Sequence, residues 1–537
     1  MKKISKRKRK RIERTVANDR SYKLFLYNRV IMYLALILLQ IIMYVGLGAL
    51  LVYNSSTGVV LQMIIGIIAL LMVLYLINKS EKPALKLSWI LLILIVPFVG
   101  VPSYSLYGEG RPTRLMNRKI QRAHAENRAA LEEVYGVPVP KEATTRGEAL
   151  ERYLTFQEQY PAFHSGEIEY FECGEKMFPE MLKALESAEK YILVEYFIIA
   201  HGKMWAEILK ILLEKAEAGV QIRILYDDIV CITTLPPRYD KYLESLHENI
   251  RCMSFNKVVP MFAVRMNNRD HRKILVIDGK TAFTGGINLA DEYIAEKVRF
   301  GYWKDAGIKI TGESVRSFVD MFFYMWNAFR KDKEDIRKYL PVPEKGKEGG
   351  RDALNTGITV QPYDDSPLDS HSVGETVYID IISRATRYVY IFTPYLILDD
   401  FLRSALCQAA MRGVDVRIVT PGTPDKKVTY RITRANYEAL IKAGVKIYEY
   451  TPGFIHAKCM VSDDECAVVG SINLDYRSLY LHFENAVYFS GCDAVLSVKR
   501  DCEETFALSK PCTLETHKRS TIGKLIDAVL RIFESLF

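Results

Sequence analysis

A short group of charged and small residues occurs twice in this 537-residue chain, with the same internal spacing each time. Each copy has His and Lys two positions apart, Asp five positions after Lys, and then a small pair followed by Asn. The first copy consists of His271, Lys273, Asp278 and Asn288, and the second of His456, Lys458, Asp463 and Asn473. The copies lie 185 positions apart, which predicts two similar halves that meet around one site.

The sequence around the motif is repeated as well. Three further pairs of segments match: Ser187–Val194 with Arg384–Ile391, Ala218–Ile224 with Arg412–Ile418, and Trp303–Gly312 with Phe483–Gly491. In these pairs apolar strands alternate with helices that end at a glycine. The pattern predicts an α/β fold with two similar domains, each a mixed sheet flanked by helices, packed pseudo-symmetrically.

The first hundred residues are far more apolar than the rest of the chain. Three segments are candidates to cross a membrane, namely Val30–Tyr53, Val59–Ile77 and Leu87–Tyr107. The third contains Pro97, Gly100 and Pro102, so a kinked span and a re-entrant segment are both open. We therefore expect a multi-pass protein of the cell membrane.

Charge is concentrated before these segments. Residues 1–29 contain twelve Lys or Arg against two acidic residues, whereas the formal charge of the whole chain is +9. The body of the protein is thus close to neutral, which argues against a nucleic-acid partner. Basic residues at both ends of the apolar region favour a cytoplasmic location for the tail and the catalytic domains. That location needs an even number of crossings, so we expect one of the three segments not to span fully.

We expect seven regions along the chain. They are a basic tail at 1–29, a membrane region at 30–107, a stalk at 108–160, a first domain at 161–340, a linker at 341–357, a second domain at 358–515 and an amphipathic helix at 516–537. The last of these could be docked on the second domain or lie in the membrane interface. The nine cysteines form no CxxC pairs, which favours reduced, packed thiols over disulfides or a zinc site.

The repeated residues suit chemistry on a phosphodiester. Alternation along a strand places His and Lys on the same face. Lys273 and Lys458 would neutralise the phosphate oxygens, and Asn288 and Asn473 would donate hydrogen bonds to them. One neutral histidine, His271 or His456, could attack phosphorus while the other, protonated, gives its proton to the leaving alkoxide.

Carboxylates are expected to orient these imidazoles. Asp305 and Glu484 follow the two motifs at matching places and are the candidates. Asp278 and Asp463 belong to the catalytic motif by spacing, although they could instead hold a loop or the neighbouring half. We expect neither a metal ion nor another cofactor.

The duplicated pattern resembles the signature of the phospholipase D superfamily over about residues 160–500. More closely, the chain is similar to bacterial cardiolipin synthases of that type. The residues that carry this resemblance are Trp89–Leu92, Pro97–Gly100, Thr393–Tyr395, Arg412–Arg417, Gly453–Lys458 and Gly470–Ser478. The chain departs from the family pattern at His482, where the pattern has Asn, and Val30–Tyr53 would be a span beyond the usual two.

The resemblance implies that phosphatidylglycerol is both donor and acceptor, giving cardiolipin and glycerol through a phosphatidyl-histidine. It also implies that His271 is the nucleophile and His456 the acid, although the near symmetry of the halves leaves the reverse open. Hydrolysis, or transfer to another acceptor such as serine, is chemically close. A nuclease is disfavoured by the membrane segments, and an inactive lipid-binding scaffold by the intact His and Lys in both copies.

Overall fold

A computed structural model describes most of the chain. The described residues are 55–79, 82–108, 114–138, 145–257, 267–341, 357–369, 371–518 and 520–532, together with isolated positions 38, 42, 45, 46, 49, 143 and 534. The basic tail lies outside them, as do most of the expected first span Val30–Tyr53 and most of the expected linker.

Three apolar helices begin the described part: α1 (Ser55–Asn78), α2 (Pro83–Ile95) and α3 (Pro97–Tyr107). Among the described residues, only α1 is long and apolar enough to cross a membrane, over 21 residues of mean hydropathy 2.8. The expected third segment is broken between α2 and α3. A Cβ on Gly100 would lie 2.5 Å from the Cα of Ile93, so the backbones of α2 and α3 come into contact.

A polar part of the chain follows. Helix α4 (Arg114–Tyr135) leads to α5 (Arg146–Phe156), whose first turn is closed by a reciprocal capping box between Thr145 and Glu148. One face of α4 packs against α10 (Val315–Phe329), a helix whose side chains are almost all buried. The expected stalk region is therefore packed against the body.

The first half is built on a seven-stranded mixed sheet with the order β1-β8-β6-β5-β2-β3-β4. Its strands are β1 (Ile168–Phe171), β2 (Tyr191–Tyr196), β3 (Gln221–Asp227), β4 (Ile250–Phe255), β5 (Lys273–Ile277), β6 (Thr281–Gly285) and β8 (Gly307–Thr311). Strands β2, β3 and β4 are parallel, and β5, β6, β8 and β1 are antiparallel. The helices of this half are α6 (Gly174–Ser187), α7 (Lys203–Glu217), α8 (Asp228–Cys231), α9 (Tyr239–Glu244) and α10.

The second half repeats this order in an eight-stranded sheet, β17-β12-β11-β10-β14-β15-β16-β9. Its strands are β9 (Thr359–Asp365), β10 (Tyr388–Phe392), β11 (Asp415–Pro421), β12 (Lys446–Tyr450), β14 (Cys459–Ser462), β15 (Cys466–Gly470), β16 (Glu484–Ser490) and β17 (Ser509–Cys512). Its helices are α11 (Val373–Arg384), α12 (Asp400–Met411), α13 (Lys427–Ala435), α14 (Tyr437–Lys442), α15 (Tyr476–Tyr480) and α16 (Asp493–Ala507). The expected pair of similar α/β domains is confirmed.

Two short strands join the halves. Strand β7 (Tyr302–Lys304) of the first half pairs in parallel with β13 (Gly453–Ile455) of the second. The Nδ2 of Asn485 also donates to the Oγ1 of Thr284 across the same junction, at 2.7 Å. The motif of each half thus lies at a shared boundary.

The apolar N-terminal helices and the C-terminal helix both contact the second half. The Nζ of Lys82, just before α2, lies 2.7 Å from Glu375 and 2.9 Å from Asp399, which lie at the start of α11 and α12. Helix α17 (Thr521–Ile532) packs against α13 and α2. All nine cysteines are free thiols and none is fully exposed, as expected.

Candidate active site

The two motifs occupy equivalent places in their sheets. Lys273 begins β5, and Lys458 directly precedes β14, the equivalent strand. In each half the His lies two residues earlier, in the segment that reaches the other half. His271, Lys273, His456 and Lys458 are all buried. The fold thereby brings the four residues that the sequence predicted for phosphate chemistry into one cluster.

Main-chain hydrogen bonds across the halves fix these histidines reciprocally. The amide of His271 donates to the carbonyl of Phe483 at 2.8 Å, and the amide of His456 donates to the carbonyl of Lys304 at 2.7 Å. Both acceptors directly precede the carboxylates expected to orient the imidazoles, Asp305 and Glu484. Each histidine is therefore anchored in the half to which it does not belong.

The carboxylates that contact the imidazoles also come from the opposite half. The Nδ1 of His271 lies 2.8 Å from Oε2 of Glu484, and the Nδ1 of His456 lies 2.6 Å from Oδ2 of Asp305. Each half thus supplies the carboxylate that holds the imidazole of the other half. Because Nδ1 faces the carboxylate in both pairs, Nε2 is the nitrogen left for a substrate.

The small pair in each motif fits the carboxylate beside it. A Cβ on Gly286 would lie only 2.0 Å from Oδ1 of Asp305, so this position requires glycine. The second copy has Ser471, whose hydroxyl donates to Oε2 of Glu484 at 2.5 Å. Glu484 also accepts a hydrogen bond from Ser478. Because one motif has Gly-Gly and the other Gly-Ser, the two carboxylates differ in their hydrogen bonds: Glu484 accepts one from the serine of its motif, and Asp305 has a glycine at that place.

The lysines are held close to the histidines. Each Nζ donates to the carbonyl of the histidine two residues earlier in its own motif. Burial lowers the pKa of Lys273 to about 7 and the pKa of Lys458 to about 8. Desolvation disfavours an ammonium in such a site, whereas a bound phosphate anion would favour it.

The histidines are also shifted toward the neutral form. Burial, followed by the charge of Lys273, lowers the pKa of His271 well below its usual range. Burial also lowers the pKa of His456 to about 4, although the Asp305 carboxylate acts in the opposite direction. Burial raises the pKa of Glu484 to about 8. Negative charge beside His271 is therefore costly, so Glu484 stabilises an imidazolium poorly.

The amides of the two Asn residues are partly used by the protein. The Oδ1 of Asn288 accepts from the amide of Ile198 at 3.1 Å, and its Nδ2 donates to the hydroxyl of Tyr293 at 2.7 Å. The Oδ1 of Asn473 is buried without a hydrogen-bond partner among the described residues. Each Nδ2 has two hydrogens, so one of them can still reach a substrate oxygen.

Asp278 and Asp463 lie at the opposite ends of β5 and β14 from the lysines. Asp278 accepts hydrogen bonds at 2.8 Å from three successive amides, those of residues 189–191. Asp463 accepts in the same way from residues 386–388. Of the two possibilities that the sequence leaves open, these contacts favour the one in which the carboxylates hold a neighbouring segment.

Sequence reasoning gave no role to Arg272, the residue between His271 and Lys273. Its guanidinium is fully buried and donates to Glu195, to Asp270 at 3.1 Å and to the hydroxyl of Tyr324 at 2.7 Å. Strand alternation could have indicated this, because it places the side chain of Arg272 on the opposite face from those of His271 and Lys273.

His482 also lies in the site, and the sequence marked it only as a departure from the family pattern. Its ring centroid is 5.7 Å from that of His271, and its Nδ1 is 3.8 Å from Oε1 of Glu484. His271, His482 and Glu484 each offer an atom within 4.8 Å of the others, which is close enough to consider a metal ion. Lys273 and Arg477 lie nearby, and their positive charge disfavours a cation there.

Two family models match the chain. A model described as cardiolipin synthase, phospholipase D-like domain, matches residues 181–301 and again residues 378–505. A model described as phospholipase D-nuclease N-terminal matches residues 64–109. The first match falls on both halves of the site, and the second falls on the apolar helices.

Related chains match over most of their length. An uncharacterised protein of Streptococcus mutans is 43% identical over 469 residues, which cover 86% of this chain and 99% of that one. A cardiolipin synthase of Geobacillus kaustophilus is 31% identical over 467 residues, which cover 85% of this chain and 90% of that one. The structure of phosphatidylserine synthase from Haemophilus influenzae shares the fold, with a TM-score of 0.55 and 16% identity over 73% of this chain and 98% of that one.

Proposed function

Because the chain belongs to the cardiolipin synthase family with phospholipase D-like domains and is a phospholipid phosphatidyltransferase, we propose that it joins two phosphatidylglycerol molecules. The products are cardiolipin and glycerol. The observation that carries this proposal is the exchanged pairing of His271 with Glu484 and of His456 with Asp305, with both lysines alongside.

In the first step, the Nε2 of His271 attacks the phosphorus of the donor lipid. A nitrogen–phosphorus bond forms, and the bond from phosphorus to the glycerol oxygen breaks. His456, as imidazolium, gives its proton to that oxygen, and free glycerol leaves. Lys273 and Lys458 stabilise the charge that gathers on the phosphate oxygens in the transition state.

In the second step, His456 is neutral and takes the proton from a hydroxyl of a second phosphatidylglycerol. The oxygen of that hydroxyl attacks phosphorus and displaces His271, which yields cardiolipin and restores both histidines. Asn288 and Asn473 are proposed to contact substrate oxygens. The buried Oδ1 of Asn473 could accept a hydrogen bond from a glycerol hydroxyl.

The assignment of roles is supported by the unequal carboxylates. Burial lowers the pKa of His456 to about 4, and the Asp305 carboxylate opposes this shift, so Asp305 is the group that favours the imidazolium form that an acid requires. The pKa of Glu484 is itself raised, so His271 is held neutral, as a nucleophile requires. This asymmetry agrees with the roles that the family resemblance implies.

We also propose a multi-pass protein with its catalytic domains in the cytoplasm. Helices α2 and α3 contain 13 and 11 residues, which correspond to roughly 20 Å and 16 Å, and neither spans a bilayer core of about 30 Å. Together they suit a re-entrant hairpin. The segment Val30–Tyr53 and α1 would then supply two crossings, so that the basic tail and the catalytic body lie on the same side.

The test is to incubate the purified protein in detergent with phosphatidylglycerol alone. Cardiolipin and glycerol should form in equal amounts without a nucleotide-linked lipid, and His271→Ala and His456→Ala should each abolish turnover. Phosphatidic acid as the main product would indicate a hydrolase, and phosphatidylserine on addition of serine would indicate a different acceptor. No product from phosphatidylglycerol would contradict the proposal.

A further inference from the structure

The C-terminal helix α17 exposes its apolar face and turns a more polar face toward the protein, which is unusual for a helix in water. Its apolar residues Ile522, Leu525, Ile526 and Val529 recur at helical spacing and are between 41% and 73% exposed. The side turned to the protein instead contains a buried carboxylate, Asp527, which lies 2.7 Å from the guanidinium of Arg431 on α13. A helix in water normally buries its apolar stripe, so we expect another apolar surface to contact this stripe.

The helices next to α17 indicate what contacts its apolar stripe. Leu530 packs with Ala84 and Leu85 of α2 in one apolar cluster, and Ser88 of α2 donates to the carbonyl of Ile532. Helix α2 in turn packs against α1, the helix that is long enough to span a membrane. The exposed stripe of α17 therefore lies beside helices that we propose to enter the bilayer.

The outer surface of α2 continues this apolar surface. Leu87, Leu94 and Ile95 are all exposed on α2. Two cations, Lys518 and Lys524, are exposed at the N-terminal end of α17. Apolar side chains beside lysines suit a helix that lies in the interface of an anionic membrane.

Helix α17 is also connected to the active site. Arg431 of α13 holds Asp527 and donates to the carbonyl of Gly523 at 3.2 Å. Lys426, directly before α13, lies 5.1 Å from the ring of Tyr395, and its charge reaches His482. The position of α17 on a lipid surface would thus set the position of this edge of the active site.

We propose that α17 is an interfacial anchor, with Ile522, Leu525, Ile526 and Val529 inserted into an anionic lipid surface. The anchor holds α13 and Lys426 at the level of the lipid head groups. This role is independent of which phospholipid is transferred.

The test places a tryptophan on the stripe of the full-length protein in phosphatidylglycerol vesicles with brominated acyl chains. Emission from the added residue in Leu525→Trp, measured as the difference from the parent protein, should be quenched by the bromine atoms and shielded from aqueous iodide. The matched control is Leu496→Trp, because Leu496 is 44% exposed on α16, a helix that packs on strands of the second sheet. Its added emission should respond to iodide and not to bromine.

The other outcomes each overturn the proposal. Iodide quenching of Leu525→Trp equal to that of the control would place the stripe in water. Shielding from both quenchers would place it against protein, such as a second copy of the chain. A functional readout is Leu525→Glu, which should lower several-fold the rate of the protein reconstituted in phosphatidylglycerol vesicles and leave the rate in detergent micelles unchanged, unlike a general loss of folding.

Discussion

Each imidazole in the site is held by a carboxylate from the opposite half, and the two carboxylates have different neighbours. Asp305 packs against the backbone of Gly286, whereas Glu484 accepts hydrogen bonds from Ser471 and Ser478. A repeated motif can thereby give two histidines of opposite roles. The buried lysines add a second property, because burial disfavours their ammonium groups and a bound anion favours them.

Binding of an anionic head group should therefore take up protons. The pKa of Lys273 is about 7 and that of Lys458 about 8, and a bound phosphodiester should raise both. Affinity should fall as the pH rises through this range, since more protons must then be taken up. Calorimetry with the deacylated head group glycerophosphoglycerol at pH 8, in two buffers of different ionisation enthalpy, should give an uptake on the order of one proton.

The control for this measurement is Lys273→Arg, since a guanidinium stays charged across the range. This variant should take up fewer protons than the parent protein. Affinity that does not change with pH, with no proton uptake, would mean that the lysines are already charged before the ligand binds.

The close contact at Gly286 gives a second expectation at this scale. In Gly286→Ala the new methyl group would push Asp305 away from His456, and such a misplacement should lower kcat by about 100-fold. Ser471→Ala is the matched change in the other half. It removes one of the hydrogen bonds to Glu484 without steric conflict, so its effect on kcat should be clearly smaller. Equal losses of kcat in steady-state assays of the two variants would show that the close contact between Gly286 and Asp305 does not determine the rate.

At the level of elements, β5 and β14 separate two kinds of charged residue. One end carries the lysines of the site, and the other ends in Asp278 and Asp463, which hold the segments that lead into β2 and β10. A strand rises about 3.3 Å per residue, so five residues separate the lysine from the aspartate by roughly 16 Å. This distance favours a structural role for the two aspartates.

Asp278→Asn should accordingly weaken folding more than catalysis. The variant exchanges an acceptor of three amide hydrogen bonds for a side chain with one acceptor, which should cost about 2 kcal/mol in the free energy of unfolding. Asp464→Asn is a suitable control, because Asp464 also has a positive φ but is bound by a half-buried lysine, Lys499. Thermal unfolding and kcat of the folded protein are the measurements. A loss of kcat with unchanged stability would indicate that Asp278 has a catalytic role instead of a structural one.

The alternation of residues along strands was enough to predict which side chains share a face, and the repeated spacing was enough to predict that the two motifs meet. Asp305 and Glu484 could be identified because they occupy matching places after the motifs. Their exchange between halves could not be predicted, since it depends on the pairing of β7 with β13, two strands of three residues each. Three residues are too few to show a period. The packing of His482 against His271 likewise depends on contacts between the halves rather than on a pattern within either one.

On the scale of the whole molecule, the catalytic body and the membrane region are connected at several points. Lys82 joins α2 to Glu375 and Asp399, and α17 joins α2 to α13. Both connections reach the second half, so in the proposed topology the membrane lies on that side of the body. A transferase whose substrates are both lipids benefits from such a fixed placement, because the site then stays at the surface that supplies them.

We propose that the two halves form one site in which His271 takes up the phosphatidyl group of the donor lipid and His456 acts as acid. A donor with p-nitrophenol in place of the glycerol head group tests it most directly, because this leaving group departs without an acid. In His456→Ala we expect a burst of about one p-nitrophenol per site, with the phosphatidyl group on His271 by peptide mass spectrometry. His271→Ala should give no burst. A burst in His271→Ala with the phosphatidyl group on His456, or the absence of a burst in both variants, would contradict the account.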